Sequence, residues 1–143
     1  MKSARSVDFF KKEHREKAQA NLLAQTIDAL IIIGGNGSIT GGKVFSEEFG
    51  FPVIGIPASI DNDIYGTDNS IGFDTALNTV VESIDKIRDT ARSHNRLFFI
   101  EVMGRDCGNL ALHAGIASGE CLTIIPERKF ELKDLIKKTG RGF

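Results

Sequence analysis

The stretch FPVIGIPASIDNDIYGTDNSIGFD, Phe51 to Asp74, decides how this chain is read. It opens on Val53 to Ile56, an apolar run short and β-branched enough for a buried strand, and Pro57 bars the ladder from continuing. Ser59, Asp61 and Asp63 then alternate with Ile60 and Asn62, so an extended or turning segment can project a hydroxyl and two carboxylates to one side. Gly66 and Gly72 bracket a polar loop before a helical pattern starts at Phe73. The carboxylates therefore fall at the C-terminal end of a strand, where open α/β sheets bind ligands.

Two chemistries compete for Ser59-Ile60-Asp61-Asn62-Asp63. An Asx-rich turn would use the Asp and Asn side chains to bond the loop's own backbone. A general base would instead take the proton of a substrate hydroxyl as that oxygen attacks, with a second carboxylate holding a metal or orienting the substrate. The spacing alone does not choose between them.

Length and charge narrow the field. At 143 residues with 41% hydrophobic content, the chain can build the core of one ordinary domain or parts of two. A formal net charge of -1 leaves no electrostatic footprint for nucleic acid, and no apolar run approaches the roughly 18 residues of a membrane span. Cys107 and Cys121 lack metal-type spacing, and with no secretory signal they point to reduced, buried thiols in a cytoplasmic protein. His14 and His113 lie in helical patterns without a metal partner at i+4, so they pack or face solvent.

Taken in order, the chain has a polar start, Met1 to Asp8, then Phe9-Phe10 and a charged helical pattern over about Glu13 to Gln25, with Ala18, Leu22 and Leu23 on one side. Asp28 to Ile33 is expected as a buried strand running into Gly34-Gly35-Asn36-Gly37-Ser38, with a helix resuming around Gly42 to Phe49. Glycines at such a turn let backbone N–H groups approach an anion, and the helix N-terminus beyond it suits phosphate. The turn lacks the lysine of a P-loop and the spacing of a dinucleotide fingerprint. Phe73 to Ser93 is the longest helical pattern, its apolar stripe made by Leu77, Val80, Val81, Ile84 and Ile87. Leu97 to Val102 is expected as a strand ending at Met103-Gly104-Arg105, Gly108 to Ser118 as a closely packed helix, Leu122 to Ile125 as a strand stopped by Pro126, and Glu131 to Lys138 as a last helix. The rhythm is βαβαβαβα, an α/β fold with a mainly parallel sheet covered on both faces.

Three expected strand ends thus carry GGNGS, PASIDND and MGR. Together with GTDNSIGFDTALNT and IDKIRDTARSHNR, in this order and spacing, the chain closely resembles the ATP-dependent 6-phosphofructokinase family over nearly its whole length. The resemblance implies a three-layer, Rossmann-like fold in two domains, usually a homotetramer, that moves the γ-phosphoryl group of ATP to the 1-hydroxyl of fructose 6-phosphate with Mg2+. It further implies that Asp61 is the base, with Asp63 beside it and Ser59 holding the substrate or the transferring group. Arg5, in SARS with Ser6, matches an arginine that bridges the two substrates. Met103, Gly104 and Arg105 match the segment that contacts fructose 6-phosphate, and Arg96 an arginine that reaches a neighbouring subunit's sugar phosphate.

Gly35, Asn36, Gly37 and Ser38 match the nucleotide-binding turn, where the family pattern is GGDGS. Asn36 keeps an oxygen ligand there but removes the charge that favours magnesium. Gly37 and Ala58 stand where pyrophosphate-using relatives carry Asp and Lys, which favours ATP as donor. Arg88 and Gly119 match positions of an effector pocket, whose glutamate falls at Cys121, with Glu120 one place early. The resemblance starts inside the first domain and stops before the end of the second. It marks a central segment, with residues 1–72 part of the nucleotide-binding domain and 73–143 part of the sugar-phosphate-binding domain, expected to be inactive in isolation. A non-catalytic regulatory subunit that binds sugar phosphate, and an inert truncated product, stay open as alternatives.

Overall fold

In a computed structural model of the chain, residues 6–94, 96–119, 122–131, 133, 134 and 136 are described. The chain divides into two compact units, Met1–Pro57 and Ala58–Phe143.

In the first unit, β1 (Leu30–Gly34) and β2 (Val53–Pro57) pair in parallel, with Leu30 opposite Val53 and Gly34 opposite Pro57. A parallel pair needs a crossover, and α2 (Asn36–Phe49) supplies it. The helix lies against both strands. At Gly42 a Cβ would come within 2.5 Å of Ile32 Cδ1 and 3.1 Å of Val53 Cγ1, so hydrogen at that position is what lets the helix seat on the sheet. Pro57, without an N–H, is the last residue of its strand, as the sequence suggests.

The core of this unit is aromatic. Phe45, only 2% exposed, projects from α2 and meets Phe9, Phe49 and Phe51 at ring-centroid distances of 6.1, 5.0 and 5.6 Å. The first helix, α1 (Lys12–Ala24), does not carry the apolar stripe expected from Ala18, Leu22 and Leu23: Leu23 is 58% exposed, and the one buried residue of the helix is Arg15. Its guanidinium donates from Nε and Nη2 to the two oxygens of Glu48 at 2.7 and 2.6 Å, and from Nη1 to the carbonyls of Phe9 and Phe10 at 2.7 and 2.8 Å. A fork of fixed donors matched to a carboxylate and two carbonyls thus ties α1 to α2 where apolar packing does not. The expected burial of β1 is also only half met. Its residues alternate, and Ile31 and Ile33, like Ile54 of β2, are more than 60% exposed on the face away from α2.

In the second unit, α3 (Phe73–Ser93) begins and ends where the sequence pattern places it. Its stripe is at least half-buried from Leu77 to Ile87, and Glu82, Asp85, Lys86 and Asp89 face solvent. It packs on α4 (Asn109–Ser118), whose Leu110 and Ala114 are buried. Small residues set the approach there: a Cβ on Gly115 would fall 2.0 Å from Thr123 Oγ1, and one on Gly108 2.5 Å from Ile125 Cβ. The segment 122–127 is thereby wedged against α4, and Glu127 accepts the Gly108 N–H at 2.7 Å.

The four-strand rhythm is corrected in this unit. Residues 97–102 and 122–125 form no ladder, and among the described residues the sheet has two strands. A strand exists only by pairing, and Leu97 and Phe99 are 47% and 69% exposed, so among the described residues the apolar sequence there has no strand to pair with. The expected last helix lies largely outside the described residues, which are helical at 133, 134 and 136.

The Arg15–Glu48 pair makes the first unit pH-sensitive. Hydrogen bonds from the guanidinium hold the Glu48 carboxyl below its usual range, and Arg15 is raised further above an already high value. A lowered carboxylate stabilises the fold above its unfolded value of about 4.3 and loses that contribution as pH falls through the folded one. We therefore expect the urea midpoint of the wild-type chain to fall more steeply below about pH 4.3 than that of Glu48→Gln. Parallel pH profiles for the two proteins would show that the pair adds nothing.

Candidate functional site

Each unit carries one half of the chemistry foreseen in the sequence. In the first, the glycine turn is shorter than expected. The helix does not wait until Gly42 but starts at Asn36, with Gly35 as its extended N-cap and the first helical bond from Ile39 N–H to the Gly35 carbonyl at 3.1 Å. Asn36, Gly37 and Ser38 are therefore the first turn of α2, at the end of the axis that carries positive partial charge. The two flanking glycines differ in kind. A Cβ on Gly34 would lie 2.8 Å from Ser38 Cβ and Oγ, whereas one on Gly37 would meet nothing within 4 Å. Gly34 is demanded by packing, while Gly37 leaves open space over the helix end. Ser6 precedes the short 3-10 turn Val7–Phe10 in an extended conformation, makes no capping bond with its side chain, and is exposed. Arg5 lies outside the described residues.

In the second unit, Ser59 to Asp63 is a turn and not an alternating strand. Asn62 has φ +51°, a left-handed conformation that Asn tolerates better than most residues. Its side chain does what the Asx-turn reading asks: Oδ1 accepts the Ser70 N–H at 2.8 Å, and Nδ2 donates to the Asp68 carbonyl at 3.0 Å. Asp61 does the opposite. Its Oδ1 is buried and has no hydrogen-bond partner, although its backbone is held at both ends. The Asp61 N–H donates to Ser59 Oγ at 3.2 Å, and its carbonyl accepts from Cys107 Sγ at 3.4 Å. The turn reading and the base reading thus fall on neighbouring residues. Asp63 is exposed.

The third expected group, Met103-Gly104-Arg105, forms a tight turn closed by Cys107 N–H on the Gly104 carbonyl at 2.9 Å. Gly104 has φ +150°, and a Cβ there would strike the Cys107 carbonyl at 2.3 Å. Arg105 is itself left-handed at φ +50°. The same turn reaches the aspartate loop, because Asn109 Nδ2 donates to the Asn62 carbonyl at 2.9 Å just beyond Cys107.

Arg88 and Gly119, matched to an effector pocket by the resemblance, border one recess. The Arg88 guanidinium donates to the Ser118 carbonyl and pairs with Asp85 at 2.9 Å, and Gly119 follows α4 at φ +67°. With Arg92 and Arg96 they line a recess of about 930 Å³ between α3, α4 and the segment 97–102. Glu120 and Cys121 lie outside the described residues. Sequence reasoning reached Asn62 through the Asx-turn reading but missed Ser70, Cys107 and Asn109, whose partners in the loop stand up to 47 positions away.

A parallel βαβ unit whose helix begins directly after its first strand has the layout of α/β proteins that bind ligands at the carboxyl ends of their strands. Comparison specifies the family. The sequence profile described as Phosphofructokinase matches residues 1–142, and the chain belongs to that family. It is 54% identical over 143 residues to ATP-dependent 6-phosphofructokinase 2 of Bacteroides thetaiotaomicron, and 56% identical over 141 residues to ATP-dependent 6-phosphofructokinase of Staphylococcus carnosus. These alignments cover 100% and 98% of the chain and 44% of each relative. Among solved structures, phosphofructokinase from Saccharomyces cerevisiae superposes with a TM-score of 0.89 at 40% identity, covering 97% of this chain and 22% of that one. The chain therefore spans less than half the length of the curated relatives it matches. None of its described helices is long and apolar enough to cross a membrane.

The Gly104 geometry sets a direct expectation. Gly104→Ala combines a clash with backbone and a φ that side chains rarely adopt, so it should destabilise the second unit by about 1–3 kcal/mol. A melting temperature equal to wild type would mean that the turn is not held as described.

Proposed function

We propose that these 143 residues are the central segment of an ATP-dependent 6-phosphofructokinase, in which Asp61 takes the proton of the fructose 6-phosphate 1-hydroxyl as that oxygen attacks the γ-phosphorus of ATP. The observation that carries this reading is the buried, unpartnered Oδ1 of Asp61. A carboxylate oxygen without a donor is normally costly, and it persists where a substrate hydroxyl is to supply the missing hydrogen bond. Phosphoryl transfer asks little covalent chemistry of a protein and much positioning and charge stabilisation. The first turn of α2 supports the ATP phosphates through its N–H groups, with Gly37 leaving them room. Arg105, Met103 and Gly104 serve the sugar phosphate, with Ser59 and Asp63 beside the base. Arg5 and Ser6 act at the donor, Arg96 at a sugar phosphate across a subunit boundary, and Arg88 with Gly119 and Cys121 at an effector. In this reading residues 1–72 belong to the nucleotide-binding part, residues 73–143 to the sugar-phosphate part, and the whole enzyme is a cytoplasmic homotetramer.

Magnesium, which supplies charge neutralisation on the phosphates, fits only in one way. Among the described residues no cluster of three His, Cys, Asp or Glu could hold an ion by itself. Mg2+ commonly keeps most of its water and arrives on substrate phosphates with one or two protein oxygens, and the Asn36 amide is the oxygen this chain offers at the head of α2.

Two measurements test the proposal, both on a protein completed by the flanking segments of the Bacteroides thetaiotaomicron relative. Asp61→Ala should lower kcat by at least about 10²-fold with little change in KM. An unchanged kcat would remove Asp61 from the base role. Asn36→Asp restores a negative charge and should shift the magnesium dependence of the rate to lower concentrations. If that dependence stays where it is, Asn36 is not near the ion.

A further inference from the structure

The phosphofructokinase reading assigns Asp61 but leaves its neighbours unexplained. A turn that must hold a carboxylate within a fraction of an ångström has no helix or ladder to rely on, and its backbone polar groups need other partners. Between Ser59 and Asn62 those partners are side chains. The Ser70 hydroxyl donates to the Ser59 carbonyl, Ser59 Oγ accepts from the Asp61 N–H, and Asn62 Oδ1 accepts the Ser70 N–H. Asn62 Nδ2 closes the ring on the Asp68 carbonyl. Ser70 is only 4% exposed, and next to it Ile71 bridges in parallel to Ala58 at the start of the loop. The two ends of the loop are thereby locked together around one aspartate whose Oδ1 receives no bond.

We propose that Asn62 and Ser70 are positioning residues for Asp61, a two-residue clasp that fixes the aim of the base without touching the substrate. The division of labour follows from chemistry. Asn62 is the residue next to the base, can adopt φ +51°, and carries both an acceptor and a donor, so it can turn the chain and bind both strands of the loop at once. An aspartate there would keep the acceptor and lose the donor to Asp68. Ser70 supplies a hydroxyl short enough to remain buried against the Ser59 carbonyl. With either bond lost, the Asp61 carboxylate gains angular freedom, while the Met103–Arg105 turn keeps its own closing bond from the Cys107 N–H to the Gly104 carbonyl. The effect belongs on the chemical step, since a misplacement of about 1 Å can cost about 10²-fold in rate.

The inference rests on Asp61 being the base, and the experiment separates the two. In the completed protein, Ser70→Ala, Ser70→Thr, Asn62→Gly and Asp61→Ala are compared by steady-state kinetics, with circular dichroism and thermal melts to verify folding. Ser70→Ala and Asn62→Gly should each lower kcat by about 10- to 10²-fold, with KM for fructose 6-phosphate within about threefold of wild type. Ser70→Thr, which keeps the hydroxyl, should recover most of the rate. Asn62→Gly keeps the left-handed turn and removes only the side chain, so it decides the matter if Ser70→Ala does not fold. Wild-type kcat in the folded clasp variants, with Asp61→Ala inactive, overturns the clasp and leaves the base standing. A loss of kcat that only tracks the loss of folded protein also overturns it. Full activity in Asp61→Ala takes down both.

Discussion

Irregular backbone can enter a protein interior only if each of its polar groups finds a partner, and the loop between β2 and α3 is where this structure meets that constraint. Its solution uses side chains with short reach: a serine hydroxyl, an asparagine amide, a second asparagine from the start of α4 and a thiol. Each bond is worth only about 1 kcal/mol net, but leaving a buried carbonyl or N–H unpaired costs about 1–3 kcal/mol, so the set acts together or not at all. The turn carrying Arg105 is drawn into the same set, because Cys107 and Asn109, which follow it, bind the carbonyls of Asp61 and Asn62. Two groups assigned to one reaction are thus held by a common scaffold within a single unit.

The first unit is held by a different kind of bond. Its leading helix has almost no apolar face, and a buried arginine takes over, with a carboxylate and two carbonyls as partners. Removing one side of such a group leaves the other desolvated, so Arg15 and Glu48 depend on one another more than either depends on the aromatic cluster beside them. That cluster, centred on Phe45, fixes α2 against the loop before β2 through Phe51. The position of the α2 N-terminus follows from how the rest of the helix is seated.

What was legible in the sequence is what periodicity encodes. The stripe of α3 recurs every 3.6 residues, β2 is a short β-branched run, and both elements stand where the pattern puts them. The strand end before the aspartates was equally legible, because Pro57 has no N–H to continue a ladder. The start of α2 was not, since Gly-Asn-Gly reads as a turn by propensity and becomes helical only because Gly34 and Gly42 let the helix close on the sheet. Arg15 was invisible for another reason: a charged residue in a charged helix gives no sign that its partner lies 33 positions away. The clasp residues share that defect. Asn62 and Ser70 belong to a segment whose composition predicts a turn, and composition cannot say which of three neighbouring Asx side chains bonds the backbone and which is left for chemistry.

The apolar surfaces that have no cover are informative in the same terms. Ile31, Ile33 and Ile54 form one exposed face of the two-stranded sheet, and the apolar run from Leu97 to Ile100 is exposed and pairs with no strand among the described residues. Parallel strands are stable almost only with both faces covered, and a contiguous exposed apolar patch marks a surface that other groups cover. The curated relatives are more than twice as long as this chain, which covers 44% of them. The loop that carries Asp61 differs from these faces in one respect that matters. The carbonyls of Ser59, Asp61 and Asn62 are bonded by residues of their own unit, so the aim of Asp61 is set locally.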